Sequence, residues 1–293
     1  MIFQAIDHII IAVGDLDAAT AAHRTLLGRA PSWRGTHAAF GTRNTLFRLD
    51  NTYIELLAAL PRSTTPQSAR LREALGDSPE RPFGLAIRVN DLTAAINILR
   101  GRGMRLGEAS EGAGEDERSG RRRTWRSAWI DPASSGGLRL LLIQHTCPAH
   151  LLPRALGVAD DAAVCLGVDH VVISSSDLNA SVRLWTEGFR ITEQWRRDFP
   201  ERGTRNVGLD FGGITVELIM RTDQLATGIA DRFWGVAYQV FDCSSAVARL
   251  RAAGLQVDNP RAGLAPDTQV ASVRWPRTPT LVIQRRLSPP TTC

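Results

Sequence analysis

A chain of 293 residues exceeds what one ordinary core holds, so it divides into two domains or is assembled from repeated units. With 43% hydrophobic and 22% charged residues it has the apolar mass of a folded protein rather than a disordered one, and no apolar run approaches membrane-spanning length. The formal charge of +5 is carried by arginine alone, since none of the 35 basic residues is lysine; Schiff-base and pyridoxal chemistry and the lysine-bearing phosphate loop are thereby excluded.

The first predicted element is a strand of β-branched residues through Asp7-His8-Ile9-Ile10-Ile11-Ala12-Val13. Its apolar run is too short for the central region of a secretory signal, which leads us to expect a soluble, cytoplasmic protein. Asp15 suits a helix N-cap, and the alanine-rich stretch Leu16 to Leu27 that follows stops at Gly28, where a left-handed residue ends a helix. Thr45, Phe47 and Leu49 then alternate with Asn44, Leu46 and Arg48, as in a strand with one face on a helix and the other on a cavity. Gly84 to Val89 repeats the opening strand, with Asp91 capping a helix from Leu92 to Arg100 that ends at Gly101. Glu108, Glu111, Glu115, Asp116 and Glu117 precede Arg121-Arg122-Arg123, Trp125 and Arg126. That stretch reads as a solvated mixed-charge loop, and with no basic helix or zinc finger beside it no nucleic-acid partner is expected. Trp125 and Trp129 share parity on one strand and suit either a cavity wall or core packing. After a linker, Asp177 caps a helix from Leu178 to Glu187 ending at Gly188; Val207, Leu209 and Phe211 mark a further strand, and Asp242 caps a helix ending at Gly254.

Cysteines at 147, 165, 243 and 293 form no C-x-x-C pair and read as idle thiols. There is no G-x-S-x-G elbow, no H-E-x-x-H helix and no G-x-G-x-x-G turn.

The chain repeats itself. Asp7-His8 with Asp15-Leu16 matches Asp169-His170 with Asp177-Leu178, Gly41-Thr42-Arg43-Asn44 matches Gly203-Thr204-Arg205-Asn206, and Ile54-Glu55-Leu56 matches Val216-Glu217-Leu218, all at one offset of 162 residues from His8 to His170. A weaker echo places strand, Asp and helix in the same order from Gly84 and from Gly235. We therefore expect an α+β protein of four β-α-β-β-β modules in two homologous domains forming cup-shaped half-barrels. The first domain covers residues 1–147 (modules 1–58 and 82–145), the linker 148–165, and the second domain 166–288 (modules 167–220 and 234–286).

Paired modules of this kind, with a His in the first strand and a Glu in the last, resemble the vicinal oxygen chelate superfamily, which includes glyoxalase I, ring-cleaving dioxygenases and bleomycin-resistance proteins, and within it the glyoxalase-like domain group. The resemblance spans Ile6 to Arg285 on short motifs. It implies a cup whose floor holds a divalent metal, with the family's ligand positions falling on His8, Glu55, His170 and Glu217. Strand parity agrees that His8 and Glu55 point inward together. Such nitrogen and oxygen donors suit zinc, nickel, manganese or non-haem iron.

The even modules depart from the pattern. The family's second histidine and carboxylate would fall at Gly84 and Leu140, and again at Gly235 and Thr280, none of which is a ligand of the usual kind. Adjacent modules, when paired, leave one His and one Glu per cup; modules one and three sharing a cup, or meeting across a homodimer, would complete a set of two His and two Glu. Elements consecutive in sequence tend to be neighbours, which favours adjacent pairing.

Two functions follow. In the first, a metal-dependent lyase, isomerase or oxygenase acts on a small carbonyl- or oxygen-bearing metabolite, with Glu55 or Glu217 as catalytic base, its pKa raised by burial. In the second, a metal-free protein of the bleomycin-resistance type binds or sequesters a small molecule. Arg43, Asn44, Arg48, Trp125, Trp129, Arg205 and Asn206 are the candidate ligand contacts, the arginine forks for carboxylate or phosphate and the asparagines for a carbonyl. In each motif the residues equally suit a structural role, as a His and Glu hydrogen bond or a Gly-Thr turn.

Overall fold

The computed structural model describes residues 2–223, 230–275 and 279–284; the end of the expected second domain beyond residue 284 and Cys293 lie outside the described residues. In the first half the elements run β1 (Phe3–Val13), α1 (Leu16–Leu27), β2 (Trp33–His37), β3 (Thr42–Arg48), β4 (Tyr53–Ala59), α2 (Pro66–Leu75), β5 (Glu80–Val89), α3 (Leu92–Gly101), β6 (Ser110–Asp116), β7 (Arg122–Trp129) and β8 (Leu140–His145). The second half follows as β9 (Cys165–Ser174), α4 (Leu178–Arg183), β10 (Thr192–Phe199), β11 (Thr204–Phe211), β12 (Ile214–Arg221), β13 (Arg232–Val240), α5 (Cys243–Ala252), β14 (Arg261–Ala262), β15 (Gln269–Val273) and β16 (Thr280–Gln284).

Each opening strand leads into an Asp-capped helix. The side chains of Asp15, Asp91, Asp177 and Asp242 accept backbone N–H bonds from the first turns of α1, α3, α4 and α5. Gly28 closes α1 in the left-handed conformation at φ 66°. Gly254 follows α5 with φ 84°, also as expected, whereas two stops differ: Gly101 lies inside α3, and α4 gives way after Arg183 to a wider-wound turn over Leu184–Gly188, after which the positive φ falls on Arg190. The glycine- and acid-rich stretch read as a loop is strand β6.

Sheet order fixes the module pairing. Modules one and two join into a closed barrel, β1-β4-β3-β2-β6-β7-β8-β5, while modules three and four form an open eight-stranded sheet, β10-β11-β12-β9-β13-β16-β15-β14. Adjacent modules thus share a cup, and modules one and three do not. The first cup closes where β2 meets β6, Gly35 against Asp116 and Thr36 against Glu115. A Cβ on Gly35 would sit 2.4 Å from the Glu115 carbonyl oxygen, so the seam needs a residue without a side chain.

Strand alternation sorts the two faces. Ile9, Ile11, Ile54, Leu56 and Phe47 face outward into a core that also takes Leu26 of α1, Leu99 of α3 and Val247 of α5. That core continues into the second half, with Phe3 edge-on to Phe189 at 5.3 Å. Arg249 of α5 ties the halves by donating to the carbonyls of Ala163, Thr25 and Leu26. Cys165 and Cys243 are buried, and burial pushes their thiols up to about 12 and about 11, consistent with inert sulfur. No helix among the described residues is long and apolar enough to cross a membrane.

Helix α2 has no counterpart among the described residues of the second half. Thr65 caps it, Pro66 occupies its first turn, and Leu71 and Leu75 pack on Ile10, Leu57 and Phe83 at the barrel's end. Replacing Gly35 with Ala should cost about 1–3 kcal/mol through overpacking at the seam, read as a lower urea midpoint at unchanged slope; an unaltered midpoint would show that the seam does not depend on close backbone approach.

Candidate functional site

The inward residues of the barrel line a cavity of about 290 Å³, and His8, Glu55 and Asn44 stand in its wall. His8 and Glu55 are placed by parity on β1 and β4, whose parallel register sets Ile10 against Glu55 and His8 against Tyr53. His8 is held at both ring nitrogens. Nδ1 donates to Asp7 Oδ1 at 2.8 Å, and Nε2 lies 3.3 Å from Glu55 Oε2. The second Glu55 oxygen accepts from Asn44 Nδ2 at 2.7 Å. Asp7 is fully buried and also receives Arg88 Nε at 2.8 Å and His145 Nε2 at 3.1 Å. Tyr53 stacks on the His8 ring at 4.5 Å between centroids.

Burial alone would strip the charges from this cluster; the pairing outweighs it. For His8, desolvation is opposed by hydrogen bonds and attraction from Asp7 and Glu55, which raise its pKa from 6.5 to about 9. Desolvation would raise Glu55, but the bonds and charge of His8, with help from His37 and Asn44, hold it at about 2. The expectation that a dry cup raises the Glu55 carboxyl is therefore reversed, because its neighbour is a cation. Asp7 is held well below the usual carboxylate range against the same burial by His145 and His8. Burial pushes the His37 imidazole below its usual value; it contacts Thr42 Oγ1 through Nδ1 and Asn44 Nδ2 through Nε2, at 3.2 and 3.3 Å.

The second half repeats the arrangement on its open sheet. His170 Nδ1 donates to Asp169 at 2.8 Å, His170 Nε2 lies 3.5 Å from Glu217, and Asn206 Nδ2 donates to Glu217 at 2.7 Å. The two couples lie in different sheets, so within one chain His8, Glu55, His170 and Glu217 never form one ligand set.

The donor set does not fit the divalent ion that the family resemblance implies. A metal needs a free lone pair on His8 Nε2, yet that nitrogen faces Glu55 and both Glu55 oxygens are already engaged. Nor do the even-module positions to which the family pattern points supply ligands. A Cβ on Gly84 would lie 2.8 Å from the Arg139 carbonyl oxygen, and one on Gly235 2.7 Å from that of Pro279. Leu140 packs in the outer core; of the β8 side chains that face the cavity, Leu141 and Ile143 are apolar and His145 has its Nε2 on Asp7 at 3.1 Å. Among the described residues no three His, Cys, Asp or Glu side chains group so as to hold a metal.

Of the residues expected to contact a ligand, Asn44, Trp125 and Trp129 line this cavity. Arg43 and Arg48 do not: Arg43 occupies the opposite parity on β3, and Arg48 Nε donates to the Leu49 carbonyl. Arg205 is exposed beside Asp198 at 3.5 Å, and Asn206 belongs to the second couple. Sequence reasoning missed Asp7, His37, Tyr53, His145 and Arg123. Arg121 and Arg122 are exposed as expected, but Arg123 is 7% exposed and lines the cavity. The signal was the parity already noted for the tryptophans, since Arg123, Trp125, Ser127 and Trp129 are alternate residues of β7.

The profile of the glyoxalase-like domain matches residues 6–160. The chain belongs to the glyoxalase-like domain family. In this glyoxalase-like chain residues 167–272 match in turn the Glyoxalase/Bleomycin resistance protein/Dioxygenase superfamily. A comparison with curated proteins finds no match. Among solved structures, a substituted variant of 4-hydroxymandelate synthase from Streptomyces coelicolor is 19% identical at TM-score 0.70, covering 98% of this chain and 94% of that one. A hypothetical protein from Staphylococcus aureus is 13% identical at TM-score 0.66, covering 97% and 100%. At these identities the likeness is one of fold.

The His8 and Glu55 shifts set a pH window for the glyoxalase-like fold. The raised His8 value stabilises fully below pH 6.5 and is lost as pH rises through about 9; the lowered Glu55 value stabilises above pH 4.5 and is lost as pH falls through about 2. His8→Gln should therefore remove, on the order of 3 kcal/mol, much of the stability loss between pH 6.5 and 9, seen by urea denaturation at stepped pH. A variant with the wild-type slope would show that His8 does not change charge on unfolding in that range.

Proposed function

We propose that this protein binds a small molecule inside its closed N-terminal barrel without a resident metal ion. The observation that carries this reading is the His8 and Glu55 couple, in which an imidazolium supplies, within the chain, the positive charge that a metal would bring. The couple also braces the wall: Asp7 and Glu55 fix the His8 ring, Tyr53 covers its face, and Glu55 orients the Asn44 amide. A rigid polar wall among aromatic side chains is what a preformed small-molecule site requires.

A metal-dependent lyase, isomerase or oxygenase would need a third protein ligand and, for proton transfer, a carboxyl poised near neutrality. The first barrel supports neither, since Glu55 is held at about 2, and of the β8 side chains on the cavity Leu141 and Ile143 are apolar while the Nε2 of His145 is engaged by Asp7. The fold likeness to a synthase keeps turnover as the outcome to test against. Glu217 and His170 form the corresponding couple of the open sheet, for which we propose the same bracing role.

Elemental analysis of protein purified without chelator should find less than about 0.1 equivalent of zinc, nickel, manganese or iron, and thermal shifts produced by a small-molecule library should be unchanged by EDTA. One tightly held equivalent whose removal abolishes the ligand response would reject the proposal.

A further inference from the structure

On the metal-independent reading of the barrel, we propose that its ligand is a small planar monoanion, a carboxylate on a flat unsaturated or aromatic body, and that Arg123 supplies the counter-charge. The charges of the barrel wall are otherwise matched. Asp7 faces Arg88 and His8, each at 2.8 Å, and Glu55 faces His8 at 3.3 Å. Arg123 stands apart: it is 7% exposed, and among the described residues it has no acid at ion-pair distance. A guanidinium keeps its proton in a protein, and a buried cation without an anion is costly. The rings of Trp33 and Tyr53, 5.5 and 5.6 Å from the guanidinium carbon, stabilise that charge without neutralising it. A bound carboxylate would neutralise it, and the arginine fork matches a carboxylate in two-point fashion.

The rest of the wall sets the body of the ligand. Trp33, Tyr53, Trp125 and Trp129 give flat apolar surfaces, and a cavity of about 290 Å³ sits at the small end of ligand pockets, sized for a ring and its substituent rather than a nucleotide or peptide. A second observation points to an occupant. Asn44 is 3% exposed, its amide nitrogen is committed to Glu55, and its Oδ1 is buried without a partner. Such an acceptor suits a hydroxyl or N–H on the bound molecule.

The test is calorimetric titration of the full, chelator-treated chain with benzoate and with its neutral isostere benzamide, in the wild type and in Arg123→Met and Arg123→Lys. Benzoate should bind about tenfold or more tightly than benzamide; Arg123→Met should abolish that preference and Arg123→Lys should keep part of it. Should Arg123→Met fail to fold by circular dichroism, the wild-type ratio and the lysine variant decide. Equal affinity for the two probes, or no benzoate binding at about 10 mM, overturns the anion assignment, and benzamide binding that persists leaves the small-molecule reading intact. Benzoate binding that appears only with added zinc overturns the metal-independent reading instead.

Discussion

A histidine and a glutamate facing each other inside a closed barrel must either share charge or lose it, and the structure depends on their sharing it. Two unpaired ions at these positions would be driven toward their neutral forms. Here Asp7 completes a relay of opposite charges, Asp7 to His8 to Glu55, with Asn44 satisfying the remaining carboxylate oxygen. Removing one member of such a set leaves its partner buried and uncompensated, which typically costs about 3–5 kcal/mol. This constraint fixes ring orientation, amide orientation and wall rigidity together.

The duplication shows what is separable from that constraint. Asp169, His170, Asn206 and Glu217 reproduce the relay at the same offset, yet their sheet stays open where the first closes. The couple is therefore compatible with both an enclosed cavity and an open face, which is the behaviour of a bracing element. Among the described residues, what distinguishes the first half is its additions: the glycine seam between β2 and β6, helix α2 over the barrel end, and the aromatic and arginine side chains of β7. The enclosed cavity follows from these rather than from the repeat.

Much of this was legible in the residues. The constant offset exposed the repeat, the four Asp caps marked the helices, and parity alone aimed His8 and Glu55 inward. The pairing of adjacent modules followed from chain connectivity. Other features were hidden for identifiable reasons. Helix α2 lies outside the repeated pattern, with only Thr65-Pro66 and the Leu71 and Leu75 spacing to announce it. Arg123 was masked by the exposed Arg121 and Arg122 beside it, although alternation with Trp125 and Trp129 placed it inside. The direction of the Glu55 shift required a distance, because burial and a neighbouring imidazolium act in opposite senses and only proximity decides between them. Position Leu140 was assigned by counting to a face that strand β8 turns outward.

The glyoxalase-like fold thus carries, in this chain, a self-neutralised His and Glu couple where a cation would otherwise be required. The most direct measurement is the nitrogen-15 chemical shift of the His8 imidazole at pH 7.5 in isotope-labelled protein, assigned with His8→Gln. Both ring nitrogens should show the shifts of a protonated imidazolium. A neutral ring with one unprotonated nitrogen, or a shift that moves on addition of one equivalent of zinc, would contradict the account.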